Sequence, residues 1–202
     1  SHDSSMPLLT LRGTAAPLLV EGVAYAALAN GRVIAVKADA GTLLWEGRIA
    51  NPQGQSEIER TVDIEGRPLL VGSNVFAVSY QGKLGGLSIA NGRPVWARDA
   101  SSYVGIAEGF GNIYVAEASG TVSAYEAAGG ALRWQNDQLA RRQPGTPAVI
   151  GSHVAVADFD GYVHLLSQAD GHFAGRVRAD GDGVRADMIG ANDMLYVYGN
   201  DG

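Results

Sequence analysis

Apolar positions along this chain fall in short runs separated by polar, glycine-bearing turns. The pattern is clearest from Gly111 to Trp134, which reads GNIYVAEASGTVSAYEAAGGALRW. Ile113, Val115 and Ala116 supply the apolar content of one strand. Ser119-Gly120 is a two-residue hairpin turn. Val122, Ala124 and Tyr125 continue in a second strand, which Gly129-Gly130 breaks. Ala131 to Gln135 makes a third. Upstream, Tyr103 to Ala107 is apolar enough to be a fourth. The segment predicts a four-stranded antiparallel meander closed by a tryptophan four residues after a glycine.

The same phrase recurs. Gly31 and Trp45 are fourteen residues apart, as are Gly82 and Trp96, and Gly120 and Trp134. A fourth copy starts at Asp160, keeps its glycines and puts Gly175 where tryptophan is expected. A fifth opens with Ala186 to Tyr198. From turn glycine to turn glycine, at Gly31, Gly82, Gly120 and Gly161, the steps are 51, 38 and 41 residues. A four-stranded repeat near forty residues is the signature of a β-propeller blade. The expectation is an all-β chain with blades over 14–50, 66–100, 101–137 and 145–179, and part of a fifth over 184–202. One four-stranded sheet cannot bury both faces, so each blade must stack on its neighbours. Trp45, Trp96 and Trp134, with Gly41, Gly92 and Gly130 four residues before them, are the expected blade anchors. Which strand of a blade is innermost cannot be read from periodicity.

Two stretches break the repeat. The longest step carries an insertion loop over 51–67 that begins NPQGQSEIERTVDIEG, with Glu57, Glu59, Arg60, Asp63 and Glu65. A polar insertion on a repeat scaffold is cheap in loop entropy and either decorates the surface or carries function. Near the start, LLTLRG over Leu8–Gly13 is a short apolar run ending in a charge, suited to an outer strand of a preceding blade. The chain begins almost on a blade and ends inside one, as a portion of a longer protein does.

Composition narrows the function classes. Apolar residues are 46% and charged residues 18%, a globular balance. Net charge is −6 and no basic stripe offsets it, which argues against nucleic acid. Arg141-Arg142 reads as a solvated turn between blades. With no cysteine, disulfides, thiolate catalysis and cysteine-based metal sites are excluded. No apolar run is long enough for a membrane helix and no signal-peptide core is visible. Asp158-Phe159-Asp160-Gly161 and Asp180-Gly181-Asp182-Gly183 resemble fragments of calcium loops but lack the closing bidentate glutamate, so they read as turns. His153 and His164 each sit once in a strand and read as structural. No nucleophile elbow, phosphate loop or dinucleotide fingerprint occurs. No catalytic residue, metal site or cofactor is predicted.

Ala35-x5-Gly41-x3-Trp45 and Ala124-x-Glu126-x2-Gly129-Gly130-x3-Trp134 resemble the tryptophan-docking motif of propellers related to pyrroloquinoline-quinone dehydrogenases. That motif identifies a group of folds, not an activity. A narrower resemblance rests on LTLRG at Leu9–Gly13 followed by Ala16-Pro17, on SEIERTVDIEGRP at Ser56–Pro68, and on DGYVHLLSQADGHF in the fourth copy. These are similar to the BamB family of outer-membrane assembly lipoproteins. The resemblance runs through the whole chain and implies about half of an eight-bladed ring. It implies a non-enzymatic scaffold of the β-barrel assembly machine, lipid-anchored on the periplasmic face of the outer membrane. Such a scaffold docks on the periplasmic POTRA domains of BamA and aids insertion of outer-membrane proteins. Unfolded outer-membrane proteins are a second partner class that it admits. Leu9, Leu11, Arg12, Asp63 and Glu65 match the partner-binding positions, Glu65 standing where that family has aspartate. Membrane contact is implied only through a lipid anchor that this chain does not include. The rival readings are a quinoprotein-like dehydrogenase and a generic periplasmic ligand-binding propeller. The first calls for quinone-stacking residues, calcium ligands and a vicinal disulfide, which a chain without cysteine cannot form.

Overall fold

A computed structural model of the protein describes residues 15–51 and 62–201. It divides into two compact units, one ending at Tyr103 and the other beginning at Val104. The first unit holds two four-stranded sheets. One is β1 (Leu18–Val20), β2 (Val23–Leu28), β3 (Arg32–Lys37) and β4 (Leu43–Arg48); the other is β5 (Leu69–Val71), β6 (Asn74–Val78), β7 (Gly82–Ser88) and β8 (Pro94–Ala100). The second unit holds two more. These are β9 (Ile106–Gly109), β10 (Asn112–Ala116), β11 (Val122–Glu126) and β12 (Leu132–Asn136), then β13 (Ala148–Ile150), β14 (His153–Ala157), β15 (Tyr162–Ser167) and β16 (Phe173–Arg178). A pair, β17 (Ile189–Ala191) and β18 (Met194–Tyr196), follows. Every sheet is an antiparallel meander of consecutive strands, the unit from which a β-propeller is built.

One cross-strand row repeats in the first three sheets. Tyr25 faces Ala35, which faces Trp45. Phe76 faces Gly86 and then Trp96; Tyr114 faces Ala124 and then Trp134. The small middle residue lets the two aromatic rings meet across it. Their centroids lie 5.9, 5.2 and 5.7 Å apart, within the favourable range for aromatic pairs. A bulge between the third and fourth strands falls beside this row in each sheet.

The tryptophan rows of the first and third sheets also meet the next sheet of their own unit. The Trp45 indole N–H donates to Ile89 O at 2.7 Å, and Gly92 lies against the ring with φ +70°. The Trp134 indole donates to Gln168 O at 2.9 Å beneath Gly171, whose φ is +73°. Asn136 Nδ2 donates to Gly171 O at 2.8 Å beside it. A Cβ on either glycine would stand on the indole six-membered ring. Gly92 is therefore an anchor for the tryptophan of the preceding sheet, not for the one four residues after it. Gly41 has open space at its Cβ position and serves its turn through a φ of +65°.

The fourth sheet inverts the row. Ala155 faces Leu165, which faces Gly175. With bulk in the middle and none at either end, Leu165 packs against Ala155, Val163, Val184 and Met188, with Leu195 and Val197 alongside. An aliphatic cluster here replaces the aromatic pair.

The strand expected over 103–107 begins later, at Ile106. Residues 101–103 are held instead by the β6–β7 turn. Gln81 N–H donates to Ser101 Oγ at 3.0 Å and Ser102 N–H to Ser79 O at 3.3 Å.

Two substitutions test this packing. Gly41→Ala should cost about 1–2 kcal/mol, the price of a left-handed backbone for a residue with Cβ. Gly171→Ala must also displace Trp134 and should cost about 2–5 kcal/mol, the left-handed backbone and overpacking together. Equal losses in denaturant melts would show that the indole seat is not tight. Phe110, with φ +50° and 75% exposed, occupies a hairpin position that favours Asn or Gly. Phe110→Asn should raise stability by about 0.5–1 kcal/mol; a lowered melting temperature would show that the ring contributes packing.

Candidate functional site

The returning limb of the insertion is where the sequence-predicted site enters the described structure. Leu9, Leu11 and Arg12 lie outside the described residues, as do residues 52–61 of the loop. Val62, Asp63 and Ile64 are buried, and Glu65 is half-buried. Alternation explains part of this. Ile64 joins the core shared by the first two sheets, with Tyr25, Trp45, Ile49 and Val75.

Asp63, expected at a partner surface, is only 3% exposed. Its carboxylate Oδ1 accepts the Asn30 N–H at 3.2 Å, and its carbonyl accepts the Tyr80 N–H at 2.9 Å. Asn30 has a left-handed backbone, φ +66°, which turns its N–H toward the carboxylate. Asp63 thus ties the turn after β2 to the turn after β6 and fixes where residue 65 emerges. Burial raises the Glu65 pKa above its ordinary value, and the Asp63 charge raises it further.

Two tyrosines that no sequence pattern singles out complete this region. Tyr80 and Tyr103 stack with centroids 4.3 Å apart and planes 21° from parallel. Gln81 Nε2 donates to Tyr80 Oη at 3.2 Å. The Tyr103 phenol is pushed up to about 12 by its hydrogen bond with Tyr80, then by burial and by the charges of Tyr80 and Glu65. Tyr103 reads in the sequence only as the start of an apolar strand, and nothing there marks Tyr80. Their meeting depends on the backbone bonds at residues 101 and 102.

A second polar cluster lies in the fourth sheet. Asp158 is fully buried and accepts from Arg142 Nε at 2.5 Å. His164 Nε2 stands 2.7 Å from the same oxygen, Oδ2. Its other oxygen accepts the N–H groups of Asp160 and Tyr162 at 3.1 and 2.9 Å. Arg142 Nη2 reaches Asp160 at 3.0 Å. Arg142 is therefore paired to a buried carboxylate rather than held in a solvated turn, and His164 is structural. Burial pushes the Asp158 carboxyl up, but the hydrogen bonds from His164, the Tyr162 N–H and Arg142 outweigh it, and the pKa is lowered. Asp180 plays the same turn role more openly, accepting the Asp182 N–H at 2.6 Å.

A cleft of about 670 Å³ between the third and fourth sheets is lined by Phe110, Glu126, Arg133, His153 and His172. Its charges pair among themselves or with a neighbour, Arg133 with Glu126 at 2.6 Å and His172 with Asp170 at 2.6 Å. No catalytic set converges there. Among the described residues no group of three or more His, Cys, Asp or Glu could hold a metal ion. Among them no helix is long and apolar enough to cross a membrane.

The Asp158 network gives a pH-dependent stability. A carboxyl whose pKa is lowered by folding contributes fully above its unfolded value near 3.8, and that contribution is lost as pH falls through the folded value. Asp158→Ala should cost about 1–3 kcal/mol at neutral pH, because it leaves the half-buried Arg142, the buried His164 and two turn N–H groups without their acceptor. The gap from the unmodified chain should narrow below the ordinary carboxylate range. Urea melts at pH 7 and pH 3 would read it; a gap that widens on acidification contradicts the assignment.

Comparison with known proteins places the whole chain. The family model described as outer membrane protein assembly factor BamB matches residues 1–136 and 118–202. The BamB of Pseudomonas aeruginosa is 53% identical over 200 residues, covering 99% of this chain and 53% of that protein. The BamB of Marinobacter adhaerens is 39% identical, covering 100% of this chain and 52% of that protein. The crystal structure of BamB from Moraxella catarrhalis superposes with a TM-score of 0.87 at 27% identity, covering 100% of this chain and 60% of that one. A europium-containing methanol dehydrogenase, at 14% identity and a TM-score of 0.65 over 81% of this chain and 41% of that one, shares the fold alone. The chain spans about half the length of the curated relatives it matches. Its repeated tryptophan rows, its antiparallel meanders and its match along both units agree: this chain belongs to the BamB family of outer membrane protein assembly factors.

Proposed function

We propose that this chain is the docking half of an outer-membrane protein assembly factor, a non-enzymatic scaffold. It works on the periplasmic face of the outer membrane, where a lipid anchor of the full-length protein holds it. Its partner is the set of periplasmic POTRA domains of BamA. The docking surface joins Leu9, Leu11 and Arg12 to the limb that carries Asp63 and Glu65. The observation that supports this most is the anchoring of residues 62–64 beneath two sheets, which presents Glu65 at a fixed place. A preorganised carboxylate gains affinity because less ordering is lost on binding. Apolar residues beside a charged rim are the common anatomy of a modest protein interface.

On this reading the two carboxylates take different roles. Glu65 meets the partner; Asp63 holds the limb. In the full-length protein, Glu65→Arg should weaken binding to BamA POTRA domains by about tenfold or more with melting unchanged, as charge reversal at an interface does. Arg12→Glu should do the same. Asp63→Arg should lower binding and melting temperature together, because the residue is buried. Binding by calorimetry with all three variants indistinguishable from the unmodified protein would overturn the reading.

A further inference from the structure

Three chain segments meet beside Glu65: residues 63–65, the β6–β7 turn at 79–81, and residues 101–103. Backbone groups knit them together. Tyr80 N–H donates to Asp63 O, Ser102 N–H to Ser79 O and Gln81 N–H to Ser101 Oγ. The product is a stacked pair of tyrosines whose outer member, Tyr103, is still 45% exposed. A stacked ring left open to water at a place held by three hydrogen bonds is a preformed aromatic surface.

A carboxylate stands near the pair, because Tyr80 N–H donates to Asp63 O, two residues before Glu65. The Glu65 charge reaches the Tyr103 phenol. Glu65 is itself half-buried beside Asp63, and both burial and that charge work against its ionised form. A cation placed over the ring and against Glu65 would relieve both effects. The aromatic face adds its own attraction for a cation.

We propose that Tyr103, backed by Tyr80 and flanked by Glu65, is a seat for an arginine side chain of the protein partner. The guanidinium lies on the ring and pairs with the Glu65 carboxylate. Arginine fits better than lysine because a planar guanidinium can stack and fork at once. This rests on the docking reading above and names the chemistry that the surface takes.

The fourth sheet supplies an internal contrast. Phe159 holds the place in the β14–β15 turn that Tyr80 holds in the β6–β7 turn, and it is 53% exposed. Its N–H donates to Arg142 O at 3.2 Å, as Tyr80 N–H donates to Asp63 O. Behind that turn Arg142 already pairs with Asp158 and Asp160, so no carboxylate there is left to receive a partner's guanidinium.

The test measures binding of the full-length protein to BamA POTRA domains by calorimetry, with melting followed for each variant. Tyr103→Leu should weaken binding about five- to tenfold, on the scale of a desolvated cation–aromatic contact. Tyr103→Phe, which keeps the ring, should stay within about twofold. Phe159→Ala should leave binding unchanged. Tyr103→Leu binding as the unmodified protein does, or Tyr103→Phe losing as much as Tyr103→Leu, overturns the arginine seat. If Glu65→Arg still weakens binding in that case, the docking reading stands without it; if Glu65→Arg is also silent, both fall. A second measurement needs no variant. Argininamide should inhibit the complex more strongly than lysinamide at equal concentration and ionic strength, and equal inhibition overturns the proposal.

Discussion

The contact on which this architecture depends is an indole seated under a glycine of the next sheet. A four-stranded meander has two apolar faces and cannot bury either alone. The tryptophan at the end of one sheet meets both needs of the junction. Its ring fills the space above a left-handed glycine, and its N–H donates to a backbone carbonyl at that turn. A ring of this size removes roughly 150–250 Å² from water, worth about 4–6 kcal/mol as an upper figure. The glycine is required by the close approach as much as by its φ. This explains why the small residue recurs at the same interval as the large one.

That reciprocity was legible in the sequence because it is periodic. Trp45, Trp96 and Trp134 stand at one spacing, and the sheets follow with their turns where glycine and asparagine allow them. The partner of each tryptophan was less legible. Spacing links Gly92 to Trp96, whereas the structure seats Trp45 beneath it. Local sequence distance cannot tell a glycine that serves its own turn, such as Gly41, from one that also seats a neighbour's ring. Gly175 showed that the fourth sheet departs from the rule, but the compensation by Leu165 lies one strand away and only the register exposes it.

The candidate site was half legible. Its acidic limb stood out as the stretch where the repeat is longest. Asp63 and Glu65, two residues apart in an extended segment, read as a matched pair facing one partner. The structure separates them, because Asp63 is drawn inward by the Asn30 N–H while Glu65 sits at the rim. Arg142 shows the opposite error: a charge beside another charge reads as solvated, yet its guanidinium neutralises a carboxylate that has no contact with water. In both cases the deciding partner is distant in sequence, at 33 residues for Asp63 and 16 for Arg142. Composition carries no trace of such pairings.

The repeat reuses one backbone device with opposite charges. In the second sheet the residue entering from the inter-sheet loop gives its carbonyl to the turn N–H of Tyr80; in the fourth it gives it to Phe159. The hydrogen bond is the same, so the fold asks nothing of the side chain at that place beyond a way to be satisfied. Aspartate is satisfied by a left-handed asparagine turn and arginine by a buried aspartate. Because the backbone bond holds the loop in either case, the side chains around the turn are free to differ. One turn carries a carboxylate and a tyrosine pair, and the other an ion-paired arginine and a lone phenylalanine. The scaffold therefore sets where each loop lies. The loop residues, varied under one unchanging hydrogen bond, set the charge and the rings carried there.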